Sequence, residues 1–207
     1  DLPGFGFSEG DLGGRGFLAH ARAMDELLRS LDIDRVHLVA WHSGGGVAWH
    51  LADLDTPRIA SLTMLSAIGL QEFSGSGSYY FEHAKNLGGI LLFGGLPELV
   101  PHFGILGSAD DRTNWLLTRW QSDQRPLRGI MQRLGHAPTL MPTLIIQGRN
   151  DLTLSWRAGE AHHRLIASSE LDFVPYDWSM LRRQPHLMSA RVERFLSHHD
   201  APGGSLV

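Results

Sequence analysis

Two neighbouring side chains, His42 and Ser43, sit where a short apolar run, Val36 to Ala40, passes into Gly44, Gly45 and Gly46. A hydroxyl with a base beside it is the equipment of serine-type acyl transfer, and a neutral imidazole can itself be a nucleophile. A nucleophile on a tight strand-to-helix turn takes strained backbone angles, so small residues must stand two before and two after it. Ala40-Trp41-His42-Ser43-Gly44 meets that demand with His42 at the centre. Centring on Ser43 puts Trp41 where a small side chain is needed, so Ser43 takes the role only if the turn shifts by one residue. The structural alternative for Ser43 is a helix N-terminal serine that satisfies a free backbone N–H. Asp151 follows a second apolar run, Thr143 to Gln147, and Gly148. A carboxylate there orients and stabilises an imidazolium, or else caps the helix that comes after the turn.

The elements that must position these groups follow from hydrophobic spacing. Phe17, Ala21, Met24, Leu28 and Leu31 share one helical face. Val36 to Ala40 reads as a buried strand, and Val47, Ala48, Leu51 and Ala52 as the stripe of an amphipathic helix. Ser61 to Ser66 is a second strand, Thr143 to Gln147 a third and Glu170 to Val174 a fourth. Arg157 to Ile166 is a helix, and Met188, Val192, Phe195 and Leu196 form the stripe of a last one. From His198 onward the chain reads as a frayed tail. Strand and helix alternate on both sides of an interruption, which predicts an α/β fold with a mostly parallel sheet and flanking helices. Three parts are expected: a first part of the core at 1–70, a helical cap insertion at 71–138, and a second part of the core at 139–207.

Composition removes several classes of function. The 207 residues are 43% hydrophobic and 19% charged, which fits one ordinary domain rather than a disordered chain. A net charge of -4 leaves no basic footprint for nucleic acid. The chain has no cysteine, so a thiolate nucleophile, disulfides and Cys-ligated zinc are excluded; a cytoplasmic location is the expectation. The longest apolar stretch, Leu87 to Gly107, is broken by Gly94, Gly95, Pro97, Glu98 and Pro101, so no membrane span is expected. The glycine cluster lacks the spacing of a phosphate loop, and no His-Glu-x-x-His is present, so neither a nucleotide cofactor nor a metal is expected. His162, His163, His198 and His199 read as solvated faces. Trp115, Trp120, Phe81, Phe93 and Phe103 are candidates to line a pocket under the cap, or else plain core.

Asp1-Leu2-Pro3-Gly4-Phe5-Gly6-Phe7-Ser8 resembles the Asp-x-x-Gly-x-Gly-x-Ser segment of α/β-hydrolases. Val36 to Ala52 resembles their nucleophile elbow, and Gly148-Arg149-Asn150-Asp151 resembles the Gly-x-x-Asp that supplies their acid. In that family small residues follow the nucleophile at six and ten positions. Counting from His42 gives Ala48 and Ala52, whereas counting from Ser43 gives Trp49 and Asp53. The base of the family lies about seven residues ahead of the proline that opens the final helix. Alignment on Pro185 puts Asp177-Trp178 there, with His186 the nearest alternative.

The resemblance implies a serine-type hydrolase with a helical cap, acting without a cofactor on a small apolar ester or related acyl compound. His42, Ser43 and Asp151 are then the catalytic candidates, and the Ser43 backbone N–H would hold the oxyanion. A His42–Asp151 dyad with Ser43 nearby is one arrangement these residues allow. The family carries the first half of its sheet, with another oxyanion donor, ahead of the Asp-Leu-Pro-Gly segment. Val36 to Ala40 is therefore expected to be an exposed parallel edge, through which a homodimer could form. The rival reading is a catalytically silent relative that binds a hydrophobic ligand.

Overall fold

Four short runs with high β propensity form one parallel sheet. They are β1 (Val36–Trp41), β2 (Ile59–Leu65), β3 (Thr143–Gly148) and β4 (Ser169–Val174), paired in the order β1-β2-β3-β4. Leu38 lies opposite Leu62, Ala40 opposite Met64, and Met64 opposite Ile145. The computed structural model describes residues 2–3, 8, 16–95, 122–137, 141–151, 153–177 and 180–199.

The helices are α1 (Phe17–Ser30), α2 (Gly44–Leu54), α3 (Tyr79–Gly95), α4 (Leu127–Gly135), α5 (Arg157–Leu165), α6 (Met180–Arg183) and α7 (Pro185–His199). Side chains alternate across a strand, and the two faces of the sheet meet different partners. Leu62, Met64 and Ile145 pack with Phe17 and Ala21 of α1, with α2, with Leu127 and Met131 of α4, and with Ala161 of α5. Leu144, Ile146, Leu65 and Val174 face the other way, onto Met188 and Phe195 of α7. Both faces of β2 and β3 are thereby covered, and every residue of these two strands is buried. That is why they read as near-continuous apolar runs instead of alternating ones.

Four expectations change. α2 is buried from Gly45 to Ala52 because it lies against α1, β1 and α4 together, so it is not a simple amphipathic helix. β1 is not buried throughout: Val39 is 52% and Trp41 39% exposed, since β1 is an edge strand and these residues face away from α1 and α2. Among the described residues, no strand pairs with the outer edge of β1. His162 is not solvated; it sits 1% exposed on the inner face of α5. The final helix continues through His199, whose ring lies 4.7 Å from that of Phe195, so the tail does not start at His198.

The 71–138 segment begins with a short turn at Gln71–Phe73 and then α3. Its last helix, α4, has a buried face of Leu127, Ile130, Met131 and Leu134 that belongs to the same core as α2. Trp115, Trp120 and Phe103 lie outside the described residues, and Phe81 is 60% exposed on α3, so it lines no buried pocket. Among the described residues, no helix is long and apolar enough to cross a membrane.

Candidate active site

β1 ends at Trp41 and α2 starts at Gly44, so His42 and Ser43 alone make the turn between them. His42 has φ of 48°, in the left-handed region that non-glycine residues seldom adopt. Such a conformation costs about 1–3 kcal/mol and persists where its surroundings over-determine it. Here the His42 N–H donates to the Leu65 carbonyl at 3.2 Å. The His42 carbonyl in turn accepts the N–H of Ile68 at 2.7 Å and of Gly45 at 3.1 Å. The turn is thus tied to the loop that follows β2.

Two of the three glycines exist for this approach. A Cβ on Gly45 would stand 2.5 Å from the Ile68 carbonyl oxygen, and one on Gly46 would stand 2.4 Å from the Phe17 ring. A Cβ on Gly44 would meet nothing within 4 Å. Sequence register and backbone angle agree that His42 occupies the tip. Ser43 has helical angles, φ -65° and ψ -21°. Its hydroxyl makes no cap hydrogen bond, so the expectation of a capping serine is not met.

The acid loop is built in a similar way. A Cβ on Gly148 would lie 2.3 Å from the Tyr176 carbonyl oxygen, so only glycine lets the end of β3 pass there. The Ser66 hydroxyl accepts the Gly148 N–H at 3.0 Å, while the N–H groups of Arg149 and Asn150 donate to the carbonyls of Val174 (2.8 Å) and Tyr176 (3.2 Å). These bonds deliver Asp151 to a site where it is 7% exposed. Its Oδ1 accepts the N–H of Thr153 at 2.8 Å, the N–H of Leu154 at 3.0 Å and the Thr153 hydroxyl at 2.7 Å. Asp151 therefore closes its own turn and does not cap α5, which begins at Arg157 with Trp156 before it. Its Oδ2 is buried and has no hydrogen-bond partner among the described residues.

Thr153 joins the two halves. Its Oγ1 lies 3.3 Å from His42 Nε2. The loop holds it in place from both sides: the Thr153 carbonyl accepts the Gly75 N–H at 2.9 Å, and the Ser155 N–H donates to the Phe73 carbonyl at 3.0 Å. Residues 73–75 and 153–155 thus pair as a minimal antiparallel bridge, Ser74 opposite Leu154. Sequence reasoning missed Thr153. The available signal was an Asp-x-Thr spacing, in which a side-chain carboxylate commonly bonds the backbone two residues on.

His186 is not brought to this site by any hydrogen bond; it is exposed in the first turn of α7, just after Pro185. Trp178, the residue aligned with the family's base, lies outside the described residues. The buried His162 takes no part either. Its Nε2 accepts the Leu70 N–H at 3.3 Å, its ring stands edge-on to Trp49 at 6.0 Å, and burial pushes its pKa down to about 4. It is a neutral core histidine. No group of three His, Asp or Glu residues placed to hold a metal ion occurs among the described residues. A cavity of about 20 Å³ between Phe17, Ser74, Tyr79, Glu82 and Gln124 has room for a water molecule but not for an ester.

Comparisons with known proteins bear on the fold. A family model described as alpha/beta hydrolase fold matches residues 1–87. No curated protein matches the chain. Among solved structures, an alpha/beta hydrolase fold protein from Burkholderia ambifaria superposes with a TM-score of 0.76 at 20% identity, over 93% of this chain and 77% of that one. A bromoperoxidase from Bacillus anthracis gives 0.71 at 19% identity, over 95% and 80%. A thermophilic esterase from Thermogutta terrifontis gives 0.68 at 20% identity, over 97% and 79%.

Proposed function

Because the chain has the α/β-hydrolase fold, we propose that it hydrolyses a small apolar ester or related acyl compound, with the His42 imidazole as elbow nucleophile. The observation that carries this reading is the left-handed backbone of His42 at the turn, together with its link to Asp151 through Thr153. An imidazole so placed attacks the ester carbonyl; the carbonyl–alkoxide bond breaks, and the alkoxide leaves as the alcohol with the proton the ring gives up. Water then cleaves the acyl–nitrogen bond to release the acid and return a proton to the ring. The N–H of Ser43, the first amide after the tip, is the oxyanion donor this geometry offers. Asp151 stabilises positive charge that develops on the ring. Ser43 contributes its backbone, and its hydroxyl is dispensable.

Turnover of a short-chain chromogenic ester tests the reading. His42→Ala should return the rate to that of buffer, and Ser43→Ala should leave it close to that of the unmodified protein. Loss of activity in Ser43→Ala alone would assign the chemistry to the hydroxyl instead. One observation favours the second reading, a silent relative that binds a hydrophobic ligand: the unpartnered Oδ2 of Asp151 marks the side on which a triad acid would hold its histidine. In that case even the unmodified protein gives the buffer rate.

A further inference from the structure

The edge strand β4 and the last helix α7 face each other with opposite charges. Glu170 and Asp172 stand two residues apart on β4, so both side chains project from the same face of the sheet. They pair with Leu144 and Ile146 of β3, whose side chains pack on α7. From its own side α7 presents Arg191, Arg194 and His198, spaced three and four residues apart and therefore on one helical face. One rung between the two rows is closed: Arg191 Nη1 lies 2.5 Å from Asp172 Oδ2. The next rung is not. The Glu170 carboxylate and the Arg194 guanidinium have no ion-pair or side-chain hydrogen-bond partner among the described residues. Both line a cavity of about 320 Å³, which Leu144 and Phe195 also line.

That volume falls in the range of small-ligand sites, about 300–1,000 Å³, and far exceeds the roughly 30 Å³ of one water molecule. An anion alone would leave Glu170 unanswered, and a cation alone would leave Arg194 unanswered. A molecule with both charges and a hydrocarbon body satisfies the whole groove. We propose that the groove between β4 and α7 binds a free α-amino acid with an apolar side chain. Its ammonium group pairs with Glu170. Its carboxylate takes the planar donor fork of Arg194, with the His198 ring beside it. Its side chain lies on Leu144 and Phe195, which are themselves buried. β4 and β1 are the two ends of the described strand order, so this site shares no residue with the elbow and does not depend on the hydrolase reading.

The test is calorimetric titration of the full chain with L-leucine, repeated with 4-methylpentanoate and 3-methylbutylamine, which keep its hydrocarbon body but carry one charge each. L-leucine should bind saturably at one site, about ten-fold or more tighter than either analogue, as the loss of a charged hydrogen bond predicts. Arg194→Gln should weaken L-leucine and 4-methylpentanoate by about ten-fold and leave 3-methylbutylamine unchanged. Glu170→Gln should do the reverse, weakening L-leucine and 3-methylbutylamine alone. Both positions are exposed, so the denaturant midpoint should stay that of the unmodified protein in each variant. No saturation by L-leucine up to about 10 mM overturns the proposal, since affinity weaker than that is negligible. Binding of L-leucine that neither substitution changes, or an analogue that binds as tightly as L-leucine, overturns it as well.

Discussion

His42 and Asp151 meet through a third residue: Thr153 Oγ1 lies 3.3 Å from His42 Nε2 and 2.7 Å from Asp151 Oδ1. The two ends of this chain come from different strand ends, β1 and β3, on one side of the sheet. Ligand sites of open parallel sheets lie beyond the carboxyl ends of their strands, which is where these residues stand.

Removing the acid should affect stability and chemistry together. Asp151→Ala leaves the buried Leu154 N–H and the Thr153 N–H without their acceptor. A buried donor left unpaired costs about 1–3 kcal/mol. A shift of the denaturant midpoint of that size should accompany a fall in ester turnover of about 10²-fold or more. An unchanged midpoint would show that Asp151 does not close the turn.

The glycines at the elbow should differ sharply from one another. At Gly45 the obstacle to a Cβ is backbone, the Ile68 carbonyl, so Gly45→Ala should cost about 1–3 kcal/mol and loosen the bond between Ile68 and the tip. Gly44→Ala meets open space and should be tolerated, even mildly stabilising within a helix. Urea denaturation of the pair checks this directly; equal effects would contradict the packing.

The sheet order predicts an asymmetry between strands. Ile145→Ala in β3 should cost about 2–5 kcal/mol, because the side chain is enclosed in the core. Val39→Lys on β1, the edge strand of the described sheet, should change stability by only about 0.5 kcal/mol, since Val39 is half exposed. A large penalty at Val39 would mean that something covers that edge in solution.

Acid should weaken the fold through His162. Its folded pKa is about 4 because burial penalises the charged ring, whereas an ordinary histidine titrates near 6.5. Between these values the unfolded chain binds a proton that the folded chain refuses, so stability is intact above about pH 6.5 and declines as pH falls toward about 4. The full difference is roughly 3 kcal/mol. Unfolding free energies measured from pH 7 to 4 should show the decline, and His162→Gln should flatten it.

Much of this architecture was legible in the residues. The runs at 36–40, 61–66, 143–147 and 170–174 all became strands, because apolar and β-branched residues bounded by turn signals have few other uses. The turn itself was legible, since the demand for small neighbours around His42 and Ser43 is a local one; which of the two carries the left-handed backbone, His42, came only from the structure. His162 was misread, because adjacency to His163 says nothing about which helix face turns inward; Trp49 and Leu70, which enclose it, come from distant parts of the chain. Thr153 was missed for a similar reason. Its partner His42 is 111 residues away, and only the sheet brings the two loops together.

The most direct test of the central claim is the turnover of a short-chain ester by His42→Ser, measured beside the unmodified protein. The substitution places a hydroxyl at the elbow tip while removing the imidazole bonded to Thr153. If the tip imidazole is the reactive group, the unmodified protein exceeds buffer and His42→Ser falls to the buffer rate. A His42→Ser protein as active as the unmodified one, or more so, would contradict the account.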